Sequence, residues 1–85
     1  MKKNALVTGG SSGIGRAIVI RLAKEGYRVI TCGRQIDKLI ALKEELKAQG
    51  YTIFPIKTDL RSEESINQLF AKIRKKFGSL DVLIN

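Results

Sequence analysis

The stretch VTGGSSGIGRA, residues 7–17, decides how this chain folds. It follows a short apolar run and places three glycines, Gly9, Gly13 and Gly15, in a G-x-x-x-G-x-G array. Glycine tolerates positive φ and lets backbone N–H groups approach a ligand closely, while the amino end of a helix attracts anions. A strand, a glycine-rich turn and a helix start therefore predict a loop that binds the pyrophosphate of a dinucleotide.

The residues within and after the loop narrow this interpretation. Ser11 and Ser12 offer hydroxyl donors to a phosphate. A P-loop is excluded because Arg16, rather than Lys-Ser or Lys-Thr, follows Gly15, and the spacing also differs from G-x-G-x-x-G. The alternative is a tight, glycine-rich βα turn without a ligand. Thr8 before the loop and the alternating pattern after it favour the dinucleotide.

The rest of the chain alternates between strand and helix patterns. Apolar and β-branched runs predict strands over 5–7, 28–32, 52–58 and 80–84, and helical spacing predicts helices over 14–25, 36–49 and 62–77. This β-α-β-α-β-α-β alternation indicates an α/β fold, a partial Rossmann fold with a parallel four-stranded sheet and three helices. Proline is confined to edge strands, so Pro55 fits the strand order 3-2-1-4, in which the third strand is an edge.

Helical spacing also predicts which side chains face the sheet. The first helix is expected to bury the set Ile14, Ala17, Ile18 and Leu22, and the second the set Ile36, Leu39, Ile40 and Leu46. The third helix carries an apolar stripe that includes Leu69 and Ile73. Ser62 is expected to cap its start and Gly78 its end.

Composition excludes several kinds of site. The 85 residues suffice for one domain, have no histidine, and contain Cys32 as the single cysteine. Zinc sites of the Cys/His type and His-dependent triads are thereby excluded, so no metal site is predicted. One unpaired thiol suits a reducing compartment, so a cytoplasmic location is expected. No apolar run approaches the length of a membrane span, and no membrane partner is expected.

The charge of +8 arises from 16 Lys+Arg against 8 Asp+Glu, with the basic excess concentrated in residues 1–34. Such an excess attracts phosphates, and nucleic acid is one partner to consider. The basic residues are scattered through the alternating pattern, without an arm or an arginine-rich block. We therefore expect no nucleic-acid partner.

Three stretches, in order, resemble motifs of the short-chain dehydrogenase/reductase family. Residues 8–15, Thr-Gly-x-x-x-Gly-Ile-Gly, resemble its coenzyme-binding motif. Residues 58–60, Thr-Asp-Leu, resemble the segment with the acidic residue that contacts the adenine ring, and residues 81–85 resemble the approach to its Asn-Asn-Ala-Gly motif, ending after the first asparagine. The resemblance implies cofactor contacts at Gly9, Ser11, Ser12, Gly13, Ile14, Gly15, Asp59, Leu60 and Asn85.

The end of the second strand bears on the choice of cofactor. It reads Thr31-Cys32-Gly33-Arg34 and carries no acid for the ribose 2′-hydroxyl of NAD, while Asp37 falls in the next helix. Arg34 suits the 2′-phosphate of NADP, and the resemblance implies the same preference. We predict NADP rather than NAD, with Arg16 adding to the positive field. The alternative is that Arg34 is simply solvated.

The residues that the family uses for carbonyl reduction are absent from this sequence. No Tyr-x-x-x-Lys occurs, since Thr31 stands four residues after Tyr27 and Pro55 four after Tyr51. The chain is thus interpreted as a single truncated dinucleotide-binding domain over residues 1–85, the NADP(H)-binding part of an oxidoreductase for carbonyl or alcohol substrates, with no catalytic residue of its own. Two alternatives are an autonomous NADP(H)-binding or regulatory module, and a basic interaction protein that has lost the ligand. The apolar fourth strand is expected to be an unpaired edge that favours self-association.

Overall fold

The computed structural model describes residues 2–11 and 13–85. Along them, strands and helices alternate from the first element to the last. The elements are β1 (Asn4–Thr8), α1 (Gly13–Lys24), β2 (Arg28–Gly33), α2 (Ile36–Ala48), β3 (Ile53–Lys57), α3 (Glu63–Phe77) and β4 (Val82–Ile84). In this part of the chain, no helix is both long and apolar enough to cross a bilayer.

The strands form one parallel sheet in the order β3-β2-β1-β4. Leu6 of β1 pairs with Ile30 of β2 on one side and with Leu83 of β4 on the other. Pro55 lies in the middle of β3, which forms one edge of the sheet. The predicted α/β class, strand order and edge position of Pro55 are confirmed.

Helices α1 and α2 cover one face of the sheet, and α1 does so with part of the predicted set, because Ile18 and Leu22 are half-buried and pack against the core. Val19 and Ala23 are buried, whereas Ile14 is 81% exposed. Gly15, Val19 and Ala23 recur every four residues, and small side chains along that row let the helix lie close to the strands. The prediction was wrong for Ile14 and Ala17, which are exposed, and it missed Val19 and Ala23, which lie on the side of the helix that packs closest to the sheet.

Helix α2 buries Leu39, Leu42 and Leu46 against the same face. The predicted Leu39 and Leu46 are confirmed, but Ile40 is 45% exposed and Leu42 takes its expected place. Leu39, Leu42 and Leu46 follow i, i+3, i+7 spacing and therefore share one side of the helix.

Helix α3 alone covers the opposite face, where Leu69 and Ile73 pack against Leu6 and Ile30. The side chain of Ser62 accepts a hydrogen bond from the Ser65 backbone N–H at 3.1 Å. Gly78 ends the helix with a φ of 86°. The predicted stripe and both predicted caps are confirmed.

The link between α3 and β4 is held by a buried polar residue, Asn4. Its side-chain N–H groups donate to the carbonyl oxygens of Phe77 (3.3 Å) and Ser79 (2.8 Å). Its side-chain oxygen accepts from Arg28 Nε at 2.8 Å, and its backbone N–H donates to Asp81 at 2.8 Å. With every polar group of Asn4 bonded, its burial is tolerated and β4 is fixed beside β1.

Candidate functional site

The predicted cofactor residues follow the carboxyl ends of the strands. The glycine loop follows β1, Arg34 follows β2, Asp59 and Leu60 follow β3, and Asn85 follows β4. Because all four strands are parallel, their carboxyl ends lie side by side at one end of the sheet. Open α/β sheets bind ligands at the carboxyl ends of their strands.

The glycine loop uses backbone conformations that glycine alone adopts easily. Gly9 has a φ of 68° and Gly13 a φ of 59°, both in the left-handed region. The Gly9 N–H donates to the carbonyl oxygen of Cys32 at 3.1 Å, which ties the start of the loop to β2. Helix α1 begins at Gly13 and has no acidic residue in its first turn, so its amino end favours an anion. Ser12 lies outside the described residues.

Gly10 and Gly15 are required in this loop because neither position has room for a side chain. A Cβ atom on Gly15 would lie 2.2 Å from the Gly9 carbonyl oxygen, so any side chain would separate α1 from the loop. A Cβ atom on Gly10 would lie 2.2 Å from Oγ1 of Thr31 and 2.9 Å from Cγ2 of Val19. The turn is thus closed around bare backbone, as a close approach to a pyrophosphate requires.

A cavity of about 270 Å³ lies beside this loop, between the ends of β2 and β3. It brings together four of the predicted residues: Gly9, Arg34, Asp59 and Leu60. Its remaining lining residues are Cys32, Gly33, Thr58 and Arg61. The Thr58 N–H donates to the Gly33 carbonyl oxygen at 2.9 Å, which joins the two segments that form its walls.

The acidic residue in this cavity is held by a neighbouring arginine. Nε and Nη2 of Arg61 donate to the two carboxylate oxygens of Asp59 at 3.1 and 3.3 Å, and the Arg61 backbone N–H donates to Oδ1 at 3.0 Å. The hydrogen bonds from Arg61, followed by the charges of Arg61 and Arg34, lower the pKa of Asp59. Asp59 is therefore ionised at neutral pH, with its charge largely offset.

The two other arginines considered above differ in their partners. Arg34 is exposed and takes part in none of the ion pairs found among residues 2–11 and 13–85. Arg16 instead forms an ion pair with Glu45 of α2. The positive field predicted from Arg16 is reduced by this pairing, and Arg34 carries the basic character of the cavity.

The other predicted cofactor residues that the structure describes lie outside the lining of this cavity. Ile14 is exposed on the first turn of α1, and Ser11 lines a separate depression between α1 and α2. The side-chain oxygen of Asn85 accepts a hydrogen bond from the Thr8 hydroxyl at 3.3 Å, which places it at the foot of the glycine loop. These residues therefore extend the candidate site along the sheet edge in both directions.

Sequence comparison agrees with this architecture. A model of the family described as short chain dehydrogenase matches residues 3–85. This chain belongs to that family. A 3-oxoacyl-[acyl-carrier-protein] reductase from Staphylococcus epidermidis is 42% identical over 86 residues, a match covering 100% of the chain and 35% of the relative. Farnesol dehydrogenase from Aedes aegypti is 44% identical over 84 residues, covering 98% of the chain and 34% of the relative.

Solved structures of the short-chain dehydrogenase family superpose closely on the chain. A citronellol catabolism dehydrogenase from Pseudomonas aeruginosa matches with a TM-score of 0.94 and 35% identity, over 98% of this chain and 35% of that one. An alcohol dehydrogenase from Thermococcus sibiricus, complexed with 5-hydroxy-NADP, matches with a TM-score of 0.89 and 36% identity, over 98% and 36%. The chain thus spans about a third of the length of the relatives it matches.

Neither tyrosine of this short-chain dehydrogenase chain lies at the candidate site. Tyr27 and Tyr51 precede β2 and β3 and so lie at the amino ends of the strands, opposite the candidate site. Both pack against the core under α1 and α2. Ser65 accepts a hydrogen bond from the Asp59 backbone N–H at 2.9 Å and so shapes the loop after β3. Among the described residues, no group of three His, Cys, Asp or Glu side chains is arranged to hold a metal ion.

Three residues of the site escaped the sequence analysis. The coenzyme-binding motif specifies Gly9, Gly13 and Gly15 but not Gly10, although two consecutive glycines mark this position in the sequence. Thr31 was seen only as a strand former, yet its buried hydroxyl donates to the Val7 carbonyl oxygen at 3.0 Å and sets the space below Gly10. Nothing in the sequence pattern indicated a role for Arg61, since that role depends on the turn that brings it within hydrogen-bond distance of Asp59.

Proposed function

We propose that this chain is the NADP(H)-binding part of a short-chain dehydrogenase/reductase-like oxidoreductase that acts on carbonyl or alcohol substrates. One observation carries the proposal: the bare glycine turn lies beside a cavity lined by the exposed Arg34, which joins no ion pair among the residues that the structure describes. Two structural neighbours support the same assignment: the alcohol dehydrogenase from Thermococcus sibiricus is complexed with 5-hydroxy-NADP, and a metagenomic short-chain oxidoreductase is in complex with NADP.

The residues present suit such a cofactor, and each part of it has a candidate partner. The backbone of the glycine loop and the amino end of α1 would hold the pyrophosphate, with Ser11 and Ser12 as hydroxyl donors. Arg34 would pair with the 2′-phosphate, while Asp59 and Leu60 would contact the adenine. Further contacts are assigned to Gly9, Gly13, Ile14, Gly15 and Asn85. When bound, a nicotinamide cofactor supplies or accepts the hydride of the redox step.

The preference for NADP over NAD follows from charge. NAD requires an acceptor for the ribose 2′-hydroxyl at the end of β2, and that position holds Gly33 and Arg34. The nearby carboxylate of Asp59 is already paired with Arg61 and so opposes a phosphate less strongly than a free carboxylate would. The cavity wall that a dianionic 2′-phosphate would contact therefore carries a net positive charge.

We infer that these 85 residues alone do not reduce a carbonyl. The sequence has no Tyr-x-x-x-Lys, and both tyrosines lie at the edge of the sheet away from the glycine loop. The proton transfer to the substrate oxygen would have to come from groups outside this chain. The alternative is an autonomous NADP(H)-binding module, and it is supported by the buried hydrophobic clusters that the chain forms on both faces of the sheet.

We propose a second copy of the chain as a further partner. Among the described residues, β4 pairs with β1 alone, so its other edge offers unpaired backbone groups. Leu83 in that strand is 52% exposed. Apolar edge strands with free backbone groups promote pairing between chains.

The proposal is tested by recording ¹⁵N–¹H correlation spectra of the chain during titration with NADPH. We expect dispersed spectra with shifts concentrated at residues 9–15, 34 and 59–60. Nicotinamide mononucleotide, which lacks the adenosine half, serves as the control and should leave these amides unchanged. Dispersed spectra that ignore NADPH would overturn the assignment. Shifts at these amides would also favour the autonomous module, since they would show binding without further chain.

A further inference from the structure

A second cavity lies away from the candidate cofactor site. It is a groove of about 510 Å³ that runs along the free edge of β3, between α2 and α3. Its lining residues are Lys43, Phe54, Pro55, Ile56, Lys72, Lys75, Lys76 and Phe77, and none of them lines the cavity beside the glycine loop. We call it the β3 groove.

The floor of the β3 groove is apolar and contains a pair of packed aromatic rings. The rings of Phe54 and Phe77 meet edge to face, with centroids 5.0 Å apart and planes inclined by 70°. Pro55 and Ile56 continue this surface along the strand. All four residues are only half-buried, so the floor is accessible to a ligand.

All the charged residues at the rim of the groove are positive. Its four lysines come from α2 and α3, and no acidic residue lines the groove. None of these lysines takes part in the ion pairs formed among residues 2–11 and 13–85. Lys76 Nζ lies 5.1 Å from the Phe54 centroid and 5.7 Å from the Phe77 centroid, so one ammonium group sits directly over the apolar floor.

We propose that the β3 groove binds an amphiphilic organic anion, a carboxylate or phosphate monoester attached to an alkyl or aryl body. The apolar body would cover the two phenylalanine rings, and the anionic group would be held between lysines that otherwise repel one another. The volume of the groove lies within the range of about 300–1,000 Å³ typical of small-molecule sites. An added peptide strand fits less well, because Pro55 removes a backbone donor from the middle of the edge strand.

Octanoate is the probe for this site, titrated into the ¹⁵N-labelled chain. Acetate supplies the carboxylate without the apolar body, and octyltrimethylammonium supplies the apolar body with the opposite charge. We expect octanoate to shift the amides of Phe54, Ile56, Lys72, Lys75 and Phe77 in a saturable manner. Acetate and octyltrimethylammonium should produce much smaller changes at the same concentration.

Paired variants test the charge of the rim. Lys72→Gln combined with Lys75→Gln should weaken octanoate binding about fivefold, because two partly exposed attractions are removed. Lys24→Gln combined with Lys47→Gln, which removes the same charge away from the groove, should leave the affinity unchanged. Equal weakening by both pairs would contradict the proposal, because it would reflect net charge alone.

Three results with the unmodified chain would also overturn the proposal, even if a variant failed to fold. One is equal binding of octanoate and octyltrimethylammonium, which would indicate a merely apolar surface. Another is equal binding of acetate, which would indicate diffuse attraction of anions. The third is saturation of the groove by a short oligonucleotide while octanoate leaves it unchanged, which would assign the lysines to nucleic acid.

Discussion

Gly15 packs so closely against Gly9 that a Cβ atom at position 15 would lie 2.2 Å from the Gly9 carbonyl oxygen. This contact joins the first turn of α1 to the loop that leaves β1, and it holds the amino end of the helix at the sheet edge where Arg34 and Asp59 also lie. The fold and the proposed cofactor site therefore depend on the same contact.

Gly15→Ala should disrupt this contact, since backbone rather than a flexible side chain occupies the space. We expect a loss of about 1–3 kcal/mol in the free energy of unfolding, the usual range for overpacking, together with loss of NADPH binding. Gly33→Ala is the control for stability, because its Cβ atom would meet Leu39 at an ordinary 3.8 Å. Urea denaturation measures both variants. Equal stability of the two would show that the loop can relax around a side chain.

Gly10→Ala should be destabilising for a different reason. The new methyl group would meet Oγ1 of Thr31 at 2.2 Å, and that hydroxyl is fixed by its hydrogen bond to Val7. Thr31→Ala should restore part of the lost stability in the double variant, so the two effects should not add. A double-mutant cycle measured by urea denaturation gives the coupling energy, which we expect at about 1 kcal/mol or more. Additive effects would place the strain elsewhere, for instance at Val19.

The Asp59–Arg61 pair predicts a pH-dependent signal at the site. Arg61→Gln removes the side-chain hydrogen bonds that lower the pKa of Asp59, so the pKa should rise toward its ordinary value of about 3.9. Because the folded-state pKa is depressed, the pairing is complete at neutral pH and is lost as the pH falls through that lowered value. A ¹³C titration of the Asp59 carboxyl measures the shift. Arg74→Gln, an exposed change on α3 away from this loop, should leave the pKa of Asp59 unaffected. An unchanged pKa in Arg61→Gln would contradict the assigned cause.

The free edge of β4 predicts concentration-dependent association. Leu83→Lys places a charge on that strand and should shift sedimentation toward the monomer, since charged residues on edge strands oppose pairing. Ile40→Lys is the matched control, because Ile40 is similarly exposed, at 45% against 52%, but lies on α2. A clean monomer for the unmodified chain at high concentration, or equal effects of both variants, would exclude pairing through β4.

Much of the fold was predictable because it depends on local patterns. Strand and helix alternation, the caps of α3 and the edge position of Pro55 each follow from residue type and spacing. The buried face of α1 was only partly predictable from its bulky residues, because the close contact of Gly15 with the loop after β1 also fixes how the helix lies. The pairing of Arg16 with Glu45, 29 residues away, likewise depends on how α1 and α2 pack, which periodicity does not report.

The candidate site was predictable to the extent that it follows from motif and topology. Gly9, Arg34 and Asp59 come together because they follow neighbouring parallel strands. The role of Thr31, and the reason why position 10 must be glycine, could not be predicted, because both depend on a contact between a loop and a strand.

The central claim, that the chain binds NADP through Arg34, is tested most directly by calorimetric titration with NADP⁺ and NAD⁺. We predict that the unmodified chain binds NADP⁺ more tightly. Arg34→Ala should weaken NADP⁺ about 10- to 100-fold, the range expected for a charge-assisted hydrogen bond, and leave NAD⁺ nearly unchanged. Lys24→Ala, which removes a distant positive charge, should alter neither. Equal affinity for both cofactors, or equal weakening of both by Arg34→Ala, would contradict the account.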